Sequence, residues 1–145
     1  MKQALIDGDM ILYRAAFAAE VETKWEDDIF TIHTDFNQAK AEAIQLMENI
    51  LEKLETTEVT TIFSDRRNFR YDLFPEYKAN RKDKRSPLGI NEIREWMMET
   101  FNGDKWDNLE ADDVIGILAT GDRENTIAVS GDKDFGTLPC TWYSF

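Results

Sequence analysis

The amino-acid sequence predicts an α/β domain in which a central, mainly parallel sheet carries helices on both faces. Short apolar segments rich in β-branched residues alternate with longer segments whose apolar residues recur every three or four positions. This alternation favours a parallel sheet, because each connection between neighbouring parallel strands needs a crossover that is usually a helix. The 145 residues suit one domain, residues 1–145, that is large enough to bury a core.

The first part of the chain predicts a strand, a helix, a short extended excursion and a second helix. Ala4–Asp7 is an apolar run that ends in Asp-Gly-Asp, and helical spacing follows over residues 10–19. Trp25–His33 favours an extended conformation. Asp35 is a candidate N-cap of an amphipathic helix of about five turns. The apolar stripe of that helix is Ala39, Ala43, Leu46, Met47, Ile50, Leu51 and Leu54.

The second part predicts two further strands and two further helices. The β-branched run Val59–Ser64 is typical of a buried strand, and Thr126–Ser130 is typical of another. Helical spacing covers Ile90–Phe101 and Leu109–Thr120, and Gly121 is a natural end for the latter helix. The predicted elements therefore alternate throughout, as a parallel sheet requires.

Carboxylates follow each predicted strand at its C-terminal end. They are Asp7, Asp65 and Asp132, and strands that run parallel bring such ends to one edge of the sheet. Like charges in a poorly solvated place repel and raise one another's pKa, so a cation is expected to hold them together. Hard divalent cations such as Mg²⁺ prefer oxygen ligands and often share a phosphate substrate. This pattern indicates a metal-dependent enzyme that acts on phosphate.

Each acidic group also has a simpler interpretation when it is taken alone. Asp7 and Asp9 suit an ordinary Asp-Gly turn. Glu110, Asp112 and Asp113 suit the N-terminus of a helix, where each carboxylate gains only about 0.3–1 kcal/mol from the macrodipole. Three acids within four positions repel one another, however, and the shared sheet edge links all of these groups. A bound cation explains the set better than several independent turns and caps.

Charge is distributed unevenly along the chain. The net charge is −12, yet residues 66–85 hold eight Lys or Arg against three Asp or Glu, a local charge of +5. A run of like charges alone usually indicates a solvated loop. Here Phe69, Tyr71, Phe74 and Tyr77 are interleaved with the basic residues, which favours binding of phosphates and stacked nucleobases.

Several other classes of protein are disfavoured. The single cysteine, Cys140, cannot form an internal disulfide, which fits a reducing compartment. No targeting segment and no run of membrane-spanning length occurs, so a soluble, cytoplasmic protein is expected. Neither a phosphate-cradling Gly-x-x-x-x-Gly-Lys loop nor a Gly-x-Ser-x-Gly nucleophile turn is present.

Four motifs occur in the order LIDGDMILYRAAFA, FSDRRNFRYDLFPEYKANR with the downstream Pro87, LEADDVIGILA, and VSGDKDF. Together they resemble the 5′→3′ exonuclease and flap-endonuclease family, whose catalytic domain is PIN-like, and phage-type exonucleases are the most similar group. The resemblance covers most of the chain. It implies a PIN-like three-layer sandwich, the hydrolysis of phosphodiester bonds, and action in the host cytoplasm if the gene belongs to a phage.

The resemblance also implies two divalent ions, Mg²⁺ or Mn²⁺, and a set of residues that bind them. The ligands of the first ion would be Asp7, Asp65, Glu110 and Asp112. Asp132 and Asp134 would contribute to the second ion, with Asp113 supporting or bridging. Asp9 matches no ligand of the family and is expected to cap a helix.

The basic segment, residues 66–87, resembles the arch of that family through its Tyr-Lys-x-x-Arg motif. Tyr77 would stack on a nucleobase, Lys78 would contact the scissile phosphate, and Arg81 would contact a neighbouring phosphate or the leaving strand. Lys78 and Arg81 would therefore be catalytic together with Asp7, Glu110 and Asp112. Further phosphate contacts are expected from Arg14, Arg66, Arg67, Arg70, Lys82, Lys84 and Arg85.

One departure from the family pattern lies at the end of the sequence. Family members continue beyond the Gly-Asp-Lys-Asp motif into a helix–turn–helix-type DNA clamp and further acids, whereas this sequence ends at Phe145. We therefore expect an absent clamp, an incomplete second metal site and weak activity, in either a fragment or a shortened protein. The expected substrate is DNA with a free 5′ end or a flap, or an RNA–DNA hybrid.

Two alternatives remain open from the sequence. One is a nuclease-like module that binds nucleic acid without cleaving it. The other is a haloacid-dehalogenase-like phosphatase, in which Asp7 would be the nucleophile and Asp9 the acid. The phosphatase leaves the Leu-Glu-Ala-Asp-Asp motif and the basic aromatic segment without a role.

Overall fold

The computed structural model describes residues 2–26, 29–65 and 87–145. Within these ranges the helices are α1 (Gly8–Ala18), α2 (Phe36–Leu54), α3 (Ile90–Thr100) and α4 (Ala111–Gly121). The strands are β1 (Gln3–Asp7), β2 (Glu20–Glu26), β3 (Ile29–Thr34), β4 (Val59–Ile62), β5 (Gly103–Asp104), β6 (Thr126–Val129) and β7 (Trp142–Tyr143). A 3₁₀ helix, Lys133–Thr137, follows β6.

Five strands form one sheet in the order β5-β4-β1-β6-β7, and every neighbouring pair is parallel. This confirms the predicted parallel sheet, in which β1 lies between β4 and β6. The two-residue edge strands β5 and β7 were not predicted, because they are too short to carry an apolar pattern. The predicted extended excursion is confirmed as an antiparallel ribbon of β2 and β3, separate from the main sheet.

The sheet is covered on both faces, which confirms the three-layer α/β sandwich. Ile6 of β1 is buried among side chains of α1, α2 and α3, including Leu12 and Met97. The neighbouring Leu5 points to the opposite face and packs with Val114 and Ile115 of α4. Consecutive residues of β1 are thus buried on both sides, as is usual for a central parallel strand.

The start of α2 confirms a predicted cap, and α4 begins later than expected. The Asp35 side chain accepts a hydrogen bond from the Gln38 N–H at 3.1 Å, as an N-cap should. Helix α4 begins at Ala111 rather than Leu109, because the Glu110 backbone is extended and takes the N-cap position. Gly121 is the last residue of this helix.

The expectation that Asp9 caps a helix was wrong, since Asp7 is the N-cap of α1. Asp7 Oδ1 accepts a hydrogen bond from the Met10 N–H at 3.4 Å. Helix α1 follows β1 without a loop, and its first residue, Gly8, lies directly against β4. A Cβ at Gly8 would lie 2.7 Å from Thr61 Cγ2 and 2.8 Å from Phe63 Cζ, so a larger residue does not fit there. Asp9 consequently lies inside the first turn of α1.

Within the described ranges, no helix combines the length and the apolar character that crossing a bilayer would require.

Candidate metal centre

The carboxyl ends of the three central strands meet at one edge of the sheet. Asp7 is the last residue of β1. Asp65 and Asp132 each lie three residues beyond the ends of β4 and β6, the two neighbours of β1. The predicted placement of these three acids at the carboxyl ends of strands, on one edge of the sheet, is therefore confirmed.

Three carboxyl groups at this edge contact one another. Asp112, in the first turn of α4, forms side-chain hydrogen bonds with both Asp7 and Asp132. Asp7 is 5% exposed, so it has little water to solvate its charge. Two carboxyl groups hydrogen-bond to each other only if a proton lies between them. We call these three side chains the Asp7–Asp112–Asp132 cluster; one carboxyl of each bonded pair in it must be protonated.

The pKa values of the cluster show how strongly it disfavours negative charge. Burial, and then the neighbouring Asp9 charge, raise the pKa of Asp7 from its ordinary value to about 6. Burial, and then the Asp7 and Asp132 carboxylates, raise the pKa of Asp112 to about 8. Groups with such shifted pKa values beside a strand end are typical of functional sites.

Ser130 is a member of the site that the sequence did not reveal. It is fully buried, and its Oγ donates a hydrogen bond to Asp7 Oδ2 at 3.1 Å. The same Oγ accepts a hydrogen bond from the Asp132 N–H at 3.1 Å. One hydroxyl therefore orients two of the three acids. The only indication in the sequence was its place in Ser-Gly-Asp after a buried strand, which is also ordinary turn chemistry.

Glu110 and Asp113 hold the N-terminus of α4. Glu110 is buried, and its backbone N–H donates to Asp113 Oδ2 at 3.3 Å as part of a capping box. Asp113 thus has a structural partner close to the Asp7–Asp112–Asp132 cluster. The charge of Glu110 is one of the causes that raise the pKa of Asp9, which lies in α1.

Asp65 is bonded to the segment that precedes α4. Its Oδ1 lies 3.3 Å from Lys105 Nζ, and its Oδ2 accepts a hydrogen bond from the Asn108 N–H at 2.9 Å. The Asp65 N–H donates to the Leu109 carbonyl at 3.0 Å. These contacts of Asp65 differ from those between the carboxyls of the cluster, since they include the Lys105 cation.

Two other predicted residues lie at the surface. Asp134 is exposed in the first turn of the 3₁₀ helix, where its backbone N–H donates to Asp132 Oδ1 at 2.9 Å. Arg14 is exposed on α1; its Nη2 donates to the Phe145 carbonyl at 3.2 Å, and its guanidinium lies 4.9 Å from the centre of the Phe145 ring.

The basic-segment predictions concern residues outside the described ranges, Pro87 excepted. These residues are Arg66, Arg67, Arg70, Tyr77, Lys78, Arg81, Lys82, Lys84 and Arg85.

The carboxyl groups at this sheet edge have the chemistry that a divalent cation prefers, although they are not arranged as a ready metal site. In the described part of the chain, no three His, Cys, Asp or Glu side chains are arranged as a ready metal site. The Asp7–Asp112–Asp132 cluster nevertheless offers only oxygen donors, which suit Mg²⁺ or Mn²⁺. Asp112 contacts both other carboxyls, and a cation bound among the three would relieve the repulsion between them.

Comparison with known proteins gives a family match over nearly the whole chain. The sequence profile of the "5′-3′ exonuclease, N-terminal resolvase-like domain" matches residues 2–141. This range includes every residue of the Asp7–Asp112–Asp132 cluster, together with Ser130.

Curated relatives include phage nucleases and bacterial polymerases. An exodeoxyribonuclease of Enterobacteria phage T3 is 34% identical over 93% of this chain and 48% of its own length. An exonuclease of Escherichia phage T7 is 33% identical, with the same shares covered. DNA polymerase I of Bacillus subtilis is 30% identical over 94% of this chain and 16% of its own length. The chain thus spans about half the length of the phage relatives it matches.

Solved structures support the fold. A bacteriophage T5 protein co-crystallised with metal ions has a TM-score of 0.66 and 16% identity, over all of this chain and 55% of its own. A T5 flap endonuclease in complex with DNA and metal ions also has a TM-score of 0.66, at 17% identity. At this identity the likeness shows a shared fold.

Proposed function

Because the chain belongs to the family of the 5′-3′ exonuclease N-terminal, resolvase-like domain, we propose that it is a divalent-metal-dependent nuclease. Its substrate is DNA with a free 5′ end or a flap, with an RNA–DNA hybrid as a second candidate. One observation carries most of the proposal. In the Asp7–Asp112–Asp132 cluster, Asp112 of α4 forms hydrogen bonds with Asp7 and Asp132 at the strand ends, where ligands of parallel α/β sheets bind.

Two divalent ions, Mg²⁺ or Mn²⁺, are proposed at this edge. Asp7 and Asp112 contribute to the first ion, and Asp132 to the second; Asp112 bonds with both other carboxyls, so it suits a shared position. Asp65, Glu110, Asp113 and Asp134 extend this set, directly or through water. When bound, a pair of such ions neutralises the phosphodiester and makes water a better nucleophile.

Residues of the chain itself prepare the site for hydrolysis. Water adds to phosphorus and one phosphorus–oxygen ester bond breaks, which leaves a phosphate monoester and a hydroxyl. Ser130 fixes the orientation of Asp7 through its 3.1 Å hydrogen bond. Lys78 and Arg81 are proposed to hold the phosphates and Tyr77 to stack on a base, and these roles rest on the sequence motif alone.

The relatives support DNA as the substrate and a phage-infected host cell as the setting. The T5 flap endonuclease was crystallised with DNA and metal ions. The T3 and T7 relatives are phage nucleases, which favours the host cytoplasm as the place of action. The acidic body of this chain would repel DNA, so we expect binding to depend on the basic segment and on divalent cations.

The phosphatase alternative is disfavoured by the position of Asp9. That enzyme would need Asp9 to donate a proton to a leaving group. In the structure Asp9 Oδ2 accepts a hydrogen bond from the Ser64 N–H at 3.0 Å, and Oδ1 is sealed from solvent. Neither oxygen is placed to reach a substrate.

Cleavage of a 5′-labelled flap DNA in Mg²⁺ or Mn²⁺ tests the proposed function. We expect short labelled products from the wild-type chain and at least about a 100-fold slower release with Asp132→Ala. Glu124→Ala is the matched control, since Glu124 is exposed just before β6, at the opposite end of that strand.

Products that persist in Asp132→Ala would contradict the assignment of the site. Binding of the flap DNA without any product, in both metals, would instead support the non-cleaving nucleic-acid-binding module.

A further inference from the structure

The two strands that flank β1 are each followed by a serine at the edge of the sheet that carries the metal centre. Ser130 comes directly after β6, and Ser64 lies two residues beyond the end of β4. The Ser130 hydroxyl contacts both Asp7 and the Asp132 N–H, as described above. Ser64 occupies the corresponding place on the other side of β1, and its hydroxyl also reaches a segment that carries acids.

The Ser64 hydroxyl is bonded to the first residue of α4. Its Oγ accepts a hydrogen bond from the Ala111 N–H at 2.9 Å. Backbone N–H groups in the first turn of a helix have no acceptor within the helix, so an acceptor from elsewhere holds the turn in place. Ala111 is buried and stands between Glu110 and Asp112. Ser64 therefore orders the helix start from a position that is distant in sequence.

The backbone around Ser64 is itself held on two sides. The Ser64 N–H donates to Oδ2 of Asp9, in the first turn of α1, at 3.0 Å. The next N–H, that of Asp65, donates to the Leu109 carbonyl at 3.0 Å. The hydroxyl thus extends from a segment that is tied both to α1 and to the residues preceding α4. These bonds connect the start of α1 with the start of α4 through one side chain.

The position of the helix start decides the geometry of the metal centre. Asp112 follows Ala111 directly, and it is the member of the Asp7–Asp112–Asp132 cluster that contacts both of the others. The ends of helices fray more readily than their middle turns. A first turn of α4 that frayed would move the Asp112 carboxyl away from Asp7 and Asp132.

We propose that Ser64 is a positioning residue for the metal centre. Its hydroxyl orders the first turn of α4 and so keeps Asp112 within reach of Asp7 and Asp132. Ser64 contacts neither the substrate nor the metal ions. The consequence for metal binding rests on the proposed function, whereas the ordering of the helix does not.

Two measurements on Ser64→Ala test this role. Hydrogen exchange in the metal-free protein at the Val114 amide, which donates to the Glu110 carbonyl at 3.2 Å, reports the order of the first turn of α4. Calorimetric titration with Mn²⁺, well below the melting temperature, reports the quality of the site. We expect exchange at Val114 to become on the order of 10-fold faster and Mn²⁺ binding to become about 10-fold weaker. Exchange at Ala119, near the end of the same helix, should change much less.

Two further variants separate positioning from a general loss of stability. Ser64→Thr keeps the hydroxyl, so its Mn²⁺ affinity should lie within about 3-fold of wild type. Thr120→Ala is the matched control for the loss of a hydroxyl on the same helix. Thr120 is exposed near the end of α4, and its Oγ1 donates to the Gly116 carbonyl at 2.7 Å. Thr120→Ala should leave both Mn²⁺ affinity and exchange at Val114 unchanged.

Mn²⁺ affinity within about 2-fold of wild type in Ser64→Ala would overturn the proposal, as would an equal loss in Thr120→Ala. Exchange that speeds up by the same factor at Val114 and Ala119 would also overturn it, because that result reports global destabilisation. If Ser64→Thr does not fold, the comparison of Ser64→Ala with Thr120→Ala decides. A wild-type chain that binds Mn²⁺ but does not cleave DNA would refute the proposed function only, and both measurements would still decide the role of Ser64.

Discussion

Two sets of carboxylates at the same sheet edge have opposite surroundings. Asp7 and Asp112 face other carboxyls, and their pKa values are raised to about 6 and about 8. Asp65 faces Lys105 Nζ at 3.3 Å and the Asn108 N–H at 2.9 Å, and Asp113 accepts from the Glu110 N–H at 3.3 Å. In the first set, burial and like charges outweigh the hydrogen bonds that Asp7 accepts from the Met10 N–H and the Ser130 Oγ. The second set is bonded to donors that the fold supplies.

This difference distinguishes two roles of the aspartates at the sheet edge, one in stability and one in function. A carboxylate whose neighbours are mainly donors or cations can stabilise the fold. A carboxylate that contacts other buried carboxyls costs stability until a proton or a cation arrives. The second kind is therefore the better candidate for function, and Asp112 is its strongest member because it contacts both of the others.

The largest expected effect comes from Asp112→Asn. This change removes one of three like charges but keeps the shape of the side chain. Cleavage of flap DNA should fall at least about 100-fold, while the metal-free protein should melt at a higher temperature than wild type at pH 8. Steady-state cleavage measures the expected loss of activity, and thermal melting in chelator measures the expected gain in stability. A variant that melts lower in chelator and still cleaves would abolish the distinction between the two sets.

A second expected effect is the pH dependence of stability without metal. The ordinary carboxyl pKa is 3.8, and in the folded chain the pKa is about 6 for Asp7 and about 8 for Asp112. Between pH 5 and 8 the folded chain therefore binds more protons than the unfolded chain, so the free energy of unfolding falls as pH rises. The stabilisation is full below the ordinary pKa and is lost as pH rises through the folded values.

Thermal melting in chelator across that interval measures this effect. We expect a decrease on the order of 5 °C between pH 5 and 8. Asp112→Asn should flatten the part of the curve between pH 6 and 8, because the group that titrates there is gone. A melting temperature that is constant or rises over this range would be inconsistent with a cluster short of positive charge.

The smallest expected effect concerns the second set. Lys105→Met removes the ion pair with Asp65, and a partly exposed pair of this kind contributes about 0.2–1 kcal/mol. The melting temperature should fall by only a few degrees, and Mn²⁺ affinity should stay within about 3-fold of wild type. Lys53→Met, on α2, is a control for the loss of a lysine. A loss of Mn²⁺ binding as large as that of Asp112→Asn would show that the Lys105 pair positions Asp65 as a direct ligand.

Local patterns were enough to predict the sheet edge. Strand ends are visible in the sequence because a buried parallel strand is a short apolar run, and Asp7, Asp65 and Asp132 follow three of them. The Asp35 cap was also predictable, since an N-cap depends on a few adjacent residues. These features depend on short-range physics, and the structure confirms them.

Pairing between distant residues was beyond sequence reasoning. Ser130 bonds to Asp7 across 123 positions, and Ser64 bonds to Ala111 across 47. Nothing local to Asp65 indicates that Lys105 is its partner, and nothing local to Asp9 indicates its bond with the Ser64 N–H. The assignment of Asp9 as a cap failed because α1 already begins at Gly8, so Asp7 takes the N-cap position.

The most direct test is a calorimetric titration of the metal-free chain with Mn²⁺ at pH 7, in two buffers of different ionisation enthalpy. If the Asp7–Asp112–Asp132 cluster holds the cation, binding should release about one proton per chain, because the cation displaces the proton held at Asp112. Asp112→Asn should bind Mn²⁺ weakly and release none. Absence of Mn²⁺ binding by the wild-type chain, or binding and proton release that are the same in Asp112→Asn, would contradict a metal centre at this cluster.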